Sequence, residues 1–229
     1  MAARPFRPAA VVPAYECEST VGRVVEAVCP LVAEILVVDD GSQDRTAAIA
    51  EEAGARVLKR AENGGKGQAL RDGLEILLGE RFTHVVFLDA DGQHDPADLP
   101  RLLAAARDGA DFVIGSRLAG RGEMPAGRYW ANAIGDRVLG RLTGLAVEDG
   151  QSGFRVIEAN LLRRLRLASQ RFAIENEILV KAAPHVRRLA IVPVRTIYGV
   201  GRSHYRPFRD TWVTSWLTVW YKTLGGGDS

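Results

Sequence analysis

The chain has 229 residues, 47% of them hydrophobic and 25% charged, which is the composition of a globular protein and excludes disordered and fibrous classes. Its 30 basic and 28 acidic residues leave a formal net charge of +2, so no global field favours a nucleic-acid partner. Two cysteines without metal-type spacing, no secretory signal and no membrane-spanning run predict a cytoplasmic protein whose membrane contact would be peripheral, at the inner face.

Short runs rich in β-branched residues alternate with amphipathic stretches from Pro8 to Gly115. The predicted strands are AAVVP, EILVVDD, ARVLKR, HVVFLD and DFVIGSR. The predicted helices are STVGRVVEAVCPLV, DRTAAIAEEAG, GKGQALRDGLEILLG and PADLPRLLAAARDG. This alternation predicts an α/β fold with about five strands in an open, mostly parallel sheet flanked by helices. The expected helix caps are Ser19, Asp44, and Asp95 followed by Pro96.

Polar residues follow four of these predicted strands, in VVPAYE, VVDDGS, FLDADGQH and IGSR. Ligands of open α/β sheets bind outside the carboxyl ends of the strands. The four polar strand ends therefore predict one shared binding site, in preference to four unrelated solvated turns.

The VVDDGSQD segment places Asp39 and Asp40 where a buried strand meets a turn. Such carboxylates either cap the turn or accept hydrogen bonds from a base or ribose, and we assign Asp39 to the second role. The later NGGKGQAL segment lacks the P-loop spacing, because Gly67 follows Lys66. Lys66 and the neighbouring N–H groups either favour an anion or belong to a tight glycine turn.

The HVVFLDADGQH run gives the most specific functional prediction in the sequence. In an extended chain, Asp89, Asp91 and Gln93 point to one side, roughly 6 to 7 Å apart per step. Two close carboxylates need a cation, and oxygen ligands suit Mg²⁺ or Mn²⁺. His94 is expected to be a turn residue or a hydrogen-bonding neighbour of the ligands.

The motifs VVPAYE, VVDDGSQDRT, NGGKGQAL, FLDADGQH, GSR and DGQSGFR occur in this order. Together they resemble the family 2 inverting glycosyltransferases, and most of all the polyprenyl-phosphate hexose synthases of the dolichyl-phosphate mannose or glucose type. The resemblance covers about residues 8–205. It implies a GT-A, Rossmann-like sheet, a nucleoside-diphosphate hexose as donor, a polyprenyl phosphate as acceptor and Mg²⁺ or Mn²⁺ as cofactor.

The resemblance also implies roles for individual residues, which fall into four groups. The expected nucleotide-binding residues are Pro13, Tyr15, Glu16, Asp39, Asp40, Lys66 and Asp89. The expected metal ligands are Asp89, Asp91 and Gln93. The expected catalytic residues are Asp91, Arg117 and Arg202. The expected sugar and acceptor residues are Gln151, Ser152, Glu177, Ser203 and Arg128. Arg117 would reach the acceptor phosphate, or else it is a surface arginine that ends a strand.

One position departs from the family pattern, which usually has Asn-Glu after PAY. This chain has Glu16 and Cys17 there, so Glu16 or Glu18 would have to make the usual contact. Cys17 is either part of that pocket or an inert buried thiol.

In the C-terminal third, a helix is predicted at residues 171–183. Capping explains its Glu175, and the family resemblance implies that Glu177 lies on the acceptor side. An edge strand, VRTIY, and a basic loop with Arg202 and Ser203 are expected next. We predict a GT-A domain at residues 1–208, then an amphipathic helix and tail at 209–229. The tryptophan stripe of that helix either packs against the core or lies at a membrane surface.

The predicted reaction is transfer of a hexose from GDP-mannose or UDP-glucose to a polyprenyl phosphate, with inversion. An anionic phosphate oxygen needs no general base. The first rival has the same fold and transfers the sugar to a saccharide hydroxyl, with Asp149 or Asp136 as base. A nucleotidyltransferase and a non-catalytic nucleotide-sugar sensor are weaker rivals, because a glycine-rich first loop is missing and metal ligands accompany arginines.

Overall fold

The computed structural model describes residues 5–118, 126–169 and 174–197, without the side chains of residues 126–134. Within these residues, seven strands form one sheet in the order β3-β2-β1-β4-β6-β5-β7. The strands are β1 (Pro8–Ala14), β2 (Glu34–Asp39), β3 (Arg56–Lys59), β4 (His84–Phe87), β5 (Phe112–Ser116), β6 (Arg155–Glu158) and β7 (Leu189–Pro193). The helices are α1 (Val21–Val28), α2 (Thr46–Glu52), α3 (Lys66–Gly79), α4 (Leu99–Arg107), α5 (Ala126–Thr143), α6 (Ala159–Leu162) and α7 (Ile174–Ala182).

The mostly parallel α/β sheet is confirmed, but the expected number of about five strands is too low. β6 was missed and runs antiparallel to both β4 and β5. The other pairs are parallel, including β5 with β7. The predicted edge strand VRTIY is not a strand in its described part, residues 194–197, because the ladder with β5 ends where Ser116 aligns with Pro193 and Thr196 forms only an isolated bridge with His94. Beyond it, the Arg195 N–H donates to Asp98 instead.

The sheet is buried on both faces, so its central strands are apolar throughout. Along β1, Ala10 and Val12 face the core beneath α1 and α4, while Val11 faces the core beneath α3. Helix α3 lies so close to the sheet that a Cβ at Gly73 would come 2.7 Å from Val11 Cγ2. Close packing therefore fixes the position of α3 on β1.

One of the three expected helix caps is present: Asp95 accepts the Ala97 N–H at 3.0 Å. Asp44 accepts the Thr46 N–H at 2.9 Å, but it lies one residue before Arg45, which occupies the cap position of α2. Ser19 is not a cap, because α1 begins at Val21 and the preceding Thr20 has no capping hydrogen bond.

The predicted helix over residues 171–183 is confirmed as α7 within its described part. No helix among the described residues is both long and apolar enough to span a membrane. The proposed C-terminal helix at 209–229, with its tryptophan stripe, lies outside the described residues, so the boundary at residue 208 stays a prediction.

Candidate functional site

The predicted site residues gather at one edge of the sheet. Tyr15 follows β1 directly, Asp39 ends β2, and the two end in register, since Ala14 aligns with Asp39. Asp89 lies two residues beyond β4, and Arg117 follows β5. Because β6 runs antiparallel, its first residue, Arg155, aligns with Phe87 at the end of β4. The segment before β6 therefore enters the same edge.

The acidic segment after β4 turns instead of continuing as a strand. β4 ends at Phe87, and Gly92 adopts a φ of 73°, so the expected extended arrangement of Asp89, Asp91 and Gln93 is wrong. Asp91 instead accepts the Gln93 N–H at 3.0 Å, which closes the turn. Burial raises the pKa of Asp91, and the charge of Asp89 raises it further, so the turn still brings the two carboxylates close enough to influence each other.

Lys66, at the start of α3, forms ion pairs with two carboxylates. Its ammonium lies 2.6 Å from Asp89 Oδ1 and 2.6 Å from Glu175 Oε1. Burial disfavours the charged ammonium, but the two carboxylates outweigh it and raise the pKa of Lys66. Burial opposes ionisation of Asp89 as well, yet Lys66 lowers the pKa of that carboxyl far below its usual range. Lys66 is thus an ion-pair partner in this structure.

Glu175 is a site residue that the sequence reading missed. Capping was expected to explain it, but its carboxylate binds Lys66 and its second oxygen, Oε2, is buried and has no hydrogen-bond partner among the described residues. The signal in the sequence was weak, since Lys66 and Glu175 lie more than one hundred positions apart. Their approach depends on the packing of α7, which only the tertiary structure shows.

Arg155 joins the segment before β6 to α7. Its guanidinium donates to the backbone oxygens of Gly150, Ser152 and Glu175, at 2.5, 2.8 and 2.7 Å. Burial lowers the pKa of this guanidinium to about 10. The hydrogen bonds hold the carbonyl of Glu175 beside the 150–152 segment.

Gly153 and His94 enclose Asp89. A Cβ at Gly153 would come 2.8 Å from Asp89 Oδ2 and 3.1 Å from Lys66 Nζ, so this backbone touches the ion pair directly. His94 is buried against Phe154, and its Nε2 lies 3.6 Å from Asp89 Oδ2. This agrees with the expected role of His94 as a neighbour of the ligands.

The donor set fits a hard divalent cation chemically. Among the described residues, no group of three or more His, Cys, Asp and Glu side chains is arranged to hold a metal ion. Mg²⁺, however, typically takes only one or two carboxylates and completes its shell with water and substrate phosphates. Asp91 has no ion pair among the described side chains, and burial followed by the Asp89 charge raises its pKa. A cation beside it would relieve both effects.

The adjacent carboxylates at the end of β2, Asp39 and Asp40, bind different partners. Asp39 is buried and accepts the Ser42 N–H at 3.2 Å. Asp40 accepts the N–H groups of Gly64 and Gly65 at 3.0 and 2.7 Å and pairs with Arg60. The structure therefore occupies Asp40 in holding the segment that leads into α3.

The segment after β1 departs from the family pattern in a strained turn. Glu16 is exposed and has a φ of 49°, in the left-handed region that non-glycine residues rarely adopt. Its N–H donates to Ser42 Oγ at 2.9 Å, while Glu18 Oε2 accepts the Arg45 N–H at 3.1 Å. Burial raises the pKa of the Cys17 thiol to about 11, which favours the inert-thiol interpretation.

Arg117 and Asp149 form a buried bidentate ion pair. Arg117 Nε lies 2.7 Å from one Asp149 oxygen and NH2 lies 2.6 Å from the other. Burial opposes the ionised form of Asp149, but Arg117 outweighs it and lowers the pKa. Asp136, the other candidate base, accepts the N–H groups of Asp149 and Gly150 at 2.8 Å each. Burial raises the pKa of Asp136 to about 6.

The remaining acceptor candidates have varied positions. Ser152 is fully buried, and its Oγ accepts the Phe154 N–H at 3.3 Å. Glu177 is buried and accepts the N–H groups of Ala168 and Ser169 at 2.8 Å each, so it holds the chain before α7. Gln151 lies beside α5, because a Cβ at Gly135 would come 3.7 Å from its Nε2.

The geometry does not test the roles predicted from the sequence for Pro13, Arg128, Arg202 and Ser203. Pro13 lines a small pocket together with Lys66, Asp89 and Glu175, beneath the edge of the sheet. The side chain of Arg128, and the whole of Arg202 and Ser203, lie outside the described residues. Their acceptor and catalytic roles stay predictions.

Comparison with known proteins identifies relatives along most of the chain. Undecaprenyl-phosphate mannosyltransferase of Micrococcus luteus is 35% identical over 202 residues, covering 80% of this chain and 81% of the relative. UDP-N-acetylglucosamine--dolichyl-phosphate N-acetylglucosaminyltransferase of Methanococcus voltae is 28% identical over 238 residues, covering 93% of each chain.

A solved structure shares the fold. Glucosyl-3-phosphoglycerate synthase from Mycobacterium tuberculosis, in complex with Mn²⁺, uridine diphosphate and glucosyl-3-phosphoglycerate, superposes with a TM-score of 0.74. It is 25% identical, and the match covers 98% of this chain and 82% of that one. The GT-A fold expected from the sequence is therefore confirmed.

The model of the family described as "Glycosyl transferase family 2" matches residues 9–166. The matched region contains β1 to β6 and includes Asp39, Asp89, Asp91, Arg117 and Asp149. This chain therefore belongs to glycosyl transferase family 2 and is a glycosyltransferase with the GT-A fold.

Proposed function

We propose that the protein transfers a hexose, with inversion, from a nucleoside-diphosphate sugar to a polyprenyl phosphate. The observation that carries this proposal is the clustering of Asp39, Asp89 and Asp91 at one sheet edge, with Arg117 at the same edge after β5, which β6 separates from β4. Relatives at 30% identity or more are named as enzymes of undecaprenyl, polyprenol and dolichol phosphates. A lipid acceptor implies that the reaction occurs at a membrane surface.

The donor side of the site would bind the nucleoside diphosphate. Pro13 near the end of β1, Tyr15 directly after it and Asp39 at the end of the adjacent β2 would contact the base and ribose. Asp89, Asp91 and Gln93 would hold Mg²⁺ or Mn²⁺. When bound, such an ion supplies Lewis-acid stabilisation of the charge that develops on the leaving diphosphate.

The acceptor side favours a phosphate over a hydroxyl. A hydroxyl acceptor needs a carboxylate to remove its proton, whereas a phosphate oxygen is already anionic at neutral pH. Both candidate bases are engaged, since Asp149 forms two hydrogen bonds with the Arg117 guanidinium and Asp136 accepts two backbone N–H groups. Arg117, with Arg128, Arg202 and Ser203, would bind the acceptor phosphate.

The second candidate is transfer to a hydroxyl of a soluble acceptor. It draws support from the structural neighbour, whose name and complex concern glucosyl-3-phosphoglycerate. The engaged states of Asp149 and Asp136 count against it.

Product analysis separates the two reactions. The protein is incubated with Mn²⁺, labelled GDP-mannose or UDP-glucose, and either undecaprenyl phosphate in detergent or 3-phosphoglycerate. We expect label in the lipid extract, released by mild acid as free sugar. Label only in the soluble acceptor would reject the polyprenyl phosphate and favour the second candidate.

A further inference from the structure

The ion pairs around Lys66 contain more negative than positive charge. Lys66 lies 2.6 Å from both Asp89 Oδ1 and Glu175 Oε1, and Asp91 stands near Asp89. The side chains of Lys66 and Glu175 are only 15% and 10% exposed, so water screens these charges weakly. One ammonium thus neutralises a carboxylate that the proposed cation would also need.

Glu175 can accept a further hydrogen bond from the Lys66 ammonium. Within the part of the chain that the structure describes, its buried Oε2 has no hydrogen-bond partner, although both oxygens of a carboxylate accept hydrogen bonds. An ammonium has three N–H donors, so a donor released by Asp89 could go to this oxygen. A buried acceptor without a partner is costly, which makes such a rearrangement favourable for Glu175.

The surrounding backbone limits where Lys66 can move. Gly153 approaches so closely that a Cβ would lie 3.1 Å from Lys66 Nζ. Arg155 holds the carbonyl of Glu175 at 2.7 Å, which anchors the first turn of α7. The lysine is therefore confined between Asp89 and Glu175.

We propose that Lys66 is a displaceable internal counter-ion, which neutralises Asp89 before the divalent cation binds and is then retained by Glu175. Glu175 is accordingly a positioning residue, because it acts on the metal ligand through the lysine. This inference rests on the proposed function, since it assumes a cation at Asp89 and Asp91.

The test is a double-mutant cycle on Mn²⁺ affinity. Free Mn²⁺ is measured by electron paramagnetic resonance for the wild type, Lys66→Met, Glu175→Gln and the double variant, each with saturating GDP or UDP. We expect Lys66→Met to tighten Mn²⁺ binding several-fold, because the competitor for Asp89 is gone. Glu175→Gln should weaken binding roughly tenfold, within the range measured for coupled charges. In the Lys66→Met background the same change should have little effect.

A surface ion pair supplies the matched control. Lys59 and Glu51 lie 3.1 Å apart with side chains 55% and 50% exposed. Lys59→Met and Glu51→Gln make the same charge changes and should leave the Mn²⁺ affinity unchanged.

The outcomes separate this inference from the function on which it rests. If the wild type binds Mn²⁺ and Glu175→Gln weakens binding equally in both backgrounds, simple electrostatics explains the effect and the counter-ion role is rejected. The counter-ion role is also rejected if Lys66→Met does not bind Mn²⁺ more tightly than the wild type does. If the wild type binds no Mn²⁺ with either nucleotide, the cation proposal itself fails.

A second measurement covers the case in which Lys66→Met does not fold. The lysine side-chain resonances of the isotopically labelled wild type are followed during titration with Mg²⁺ in the presence of GDP. The Lys66 resonance should shift while that of Lys59 stays in place. A Lys66 resonance that does not move at saturating Mg²⁺ would overturn the proposal.

Discussion

Asp91 is half-buried, and no described side chain forms an ion pair with it. Its pKa is raised by burial and then by Asp89, and one of its oxygens accepts the Gln93 N–H. A half-buried carboxylate without a cationic partner is costly, so the proposed cation would stabilise Asp91. The residue therefore links the local turn to the proposed chemistry.

Replacing Asp91 tests that link directly. Asp91→Asn keeps the size of the side chain and removes the charge, so we expect turnover with Mn²⁺ to fall by roughly 10²-fold or more. Asp108→Asn, an exposed position after α4, serves as the control and should retain full activity. Sugar transfer under saturating donor is the measurement, and an active Asp91→Asn enzyme would remove this residue from the metal site.

Asp136 gives a pH dependence of stability with a defined sign. Burial raises its pKa to about 6 in the folded protein, compared with 3.8 for the ordinary carboxyl. Between these values the native state keeps a proton that the unfolded chain releases. Its contribution to the free energy of unfolding therefore decreases as the pH rises through this window.

The measurement compares urea denaturation of the wild type and Asp136→Asn from pH 4 to pH 7. The wild type should lose on the order of 2 kcal/mol more stability than the variant across this range. The variant is less stable at every pH, because its amide offers one oxygen to two N–H groups, so only the slope is informative. Parallel curves would contradict the raised pKa.

At the scale of elements, the segment before β6 connects both sides of the site. Within it, Asp149 pairs with Arg117, Gly153 touches Asp89, and Arg155 binds the start of α7. This one segment therefore contacts both Arg117, the proposed acceptor-binding arginine, and Asp89, the proposed metal ligand.

The contact at Gly153 makes a specific prediction. Gly153→Ala places a methyl group 2.8 Å from Asp89 Oδ2, so the segment or the carboxylate must shift. We expect kcat to fall by at least tenfold while the fold persists, because small displacements at a reacting centre are costly. Gly79→Ala, whose Cβ meets nothing within 4 Å, should retain activity. Circular dichroism and initial rates are measured together, and unchanged kcat would show that the contact can relax.

The alternation of strands and helices predicted β1 to β5 because their hydrophobic patterns are local. β6 and β7 lie outside that alternation: β6 (RVIE) directly follows the DGQSGF segment, which was interpreted as part of the site, and the edge strand was expected at VRTIY, directly after β7 (LAIVP). The same limit applied to the site: Asp89 and Asp91 lie within one motif, whereas Glu175 reaches Lys66 only through tertiary packing.

For the whole molecule, the proposed ligands should stabilise the fold. A ligand that binds only the native state adds about 2.7 kcal/mol to the free energy of unfolding at one hundred times its Kd. We expect GDP or UDP with Mn²⁺ to raise Tm more than the nucleotide alone, measured by differential scanning fluorimetry. The additional increase should disappear in Asp91→Asn. An equal response to both nucleotides, with no contribution from Mn²⁺, would contradict the metal assignment.

The reversed direction of β6 has an architectural consequence. The loop that precedes this strand, and not the loop that follows it, reaches the reactive edge, while Glu158 at its other end aligns with His84. Substitutions around Glu158 should therefore affect folding without altering donor choice. Related enzymes can therefore differ in sequence around this end of β6 without a change at the sheet edge that holds the proposed site.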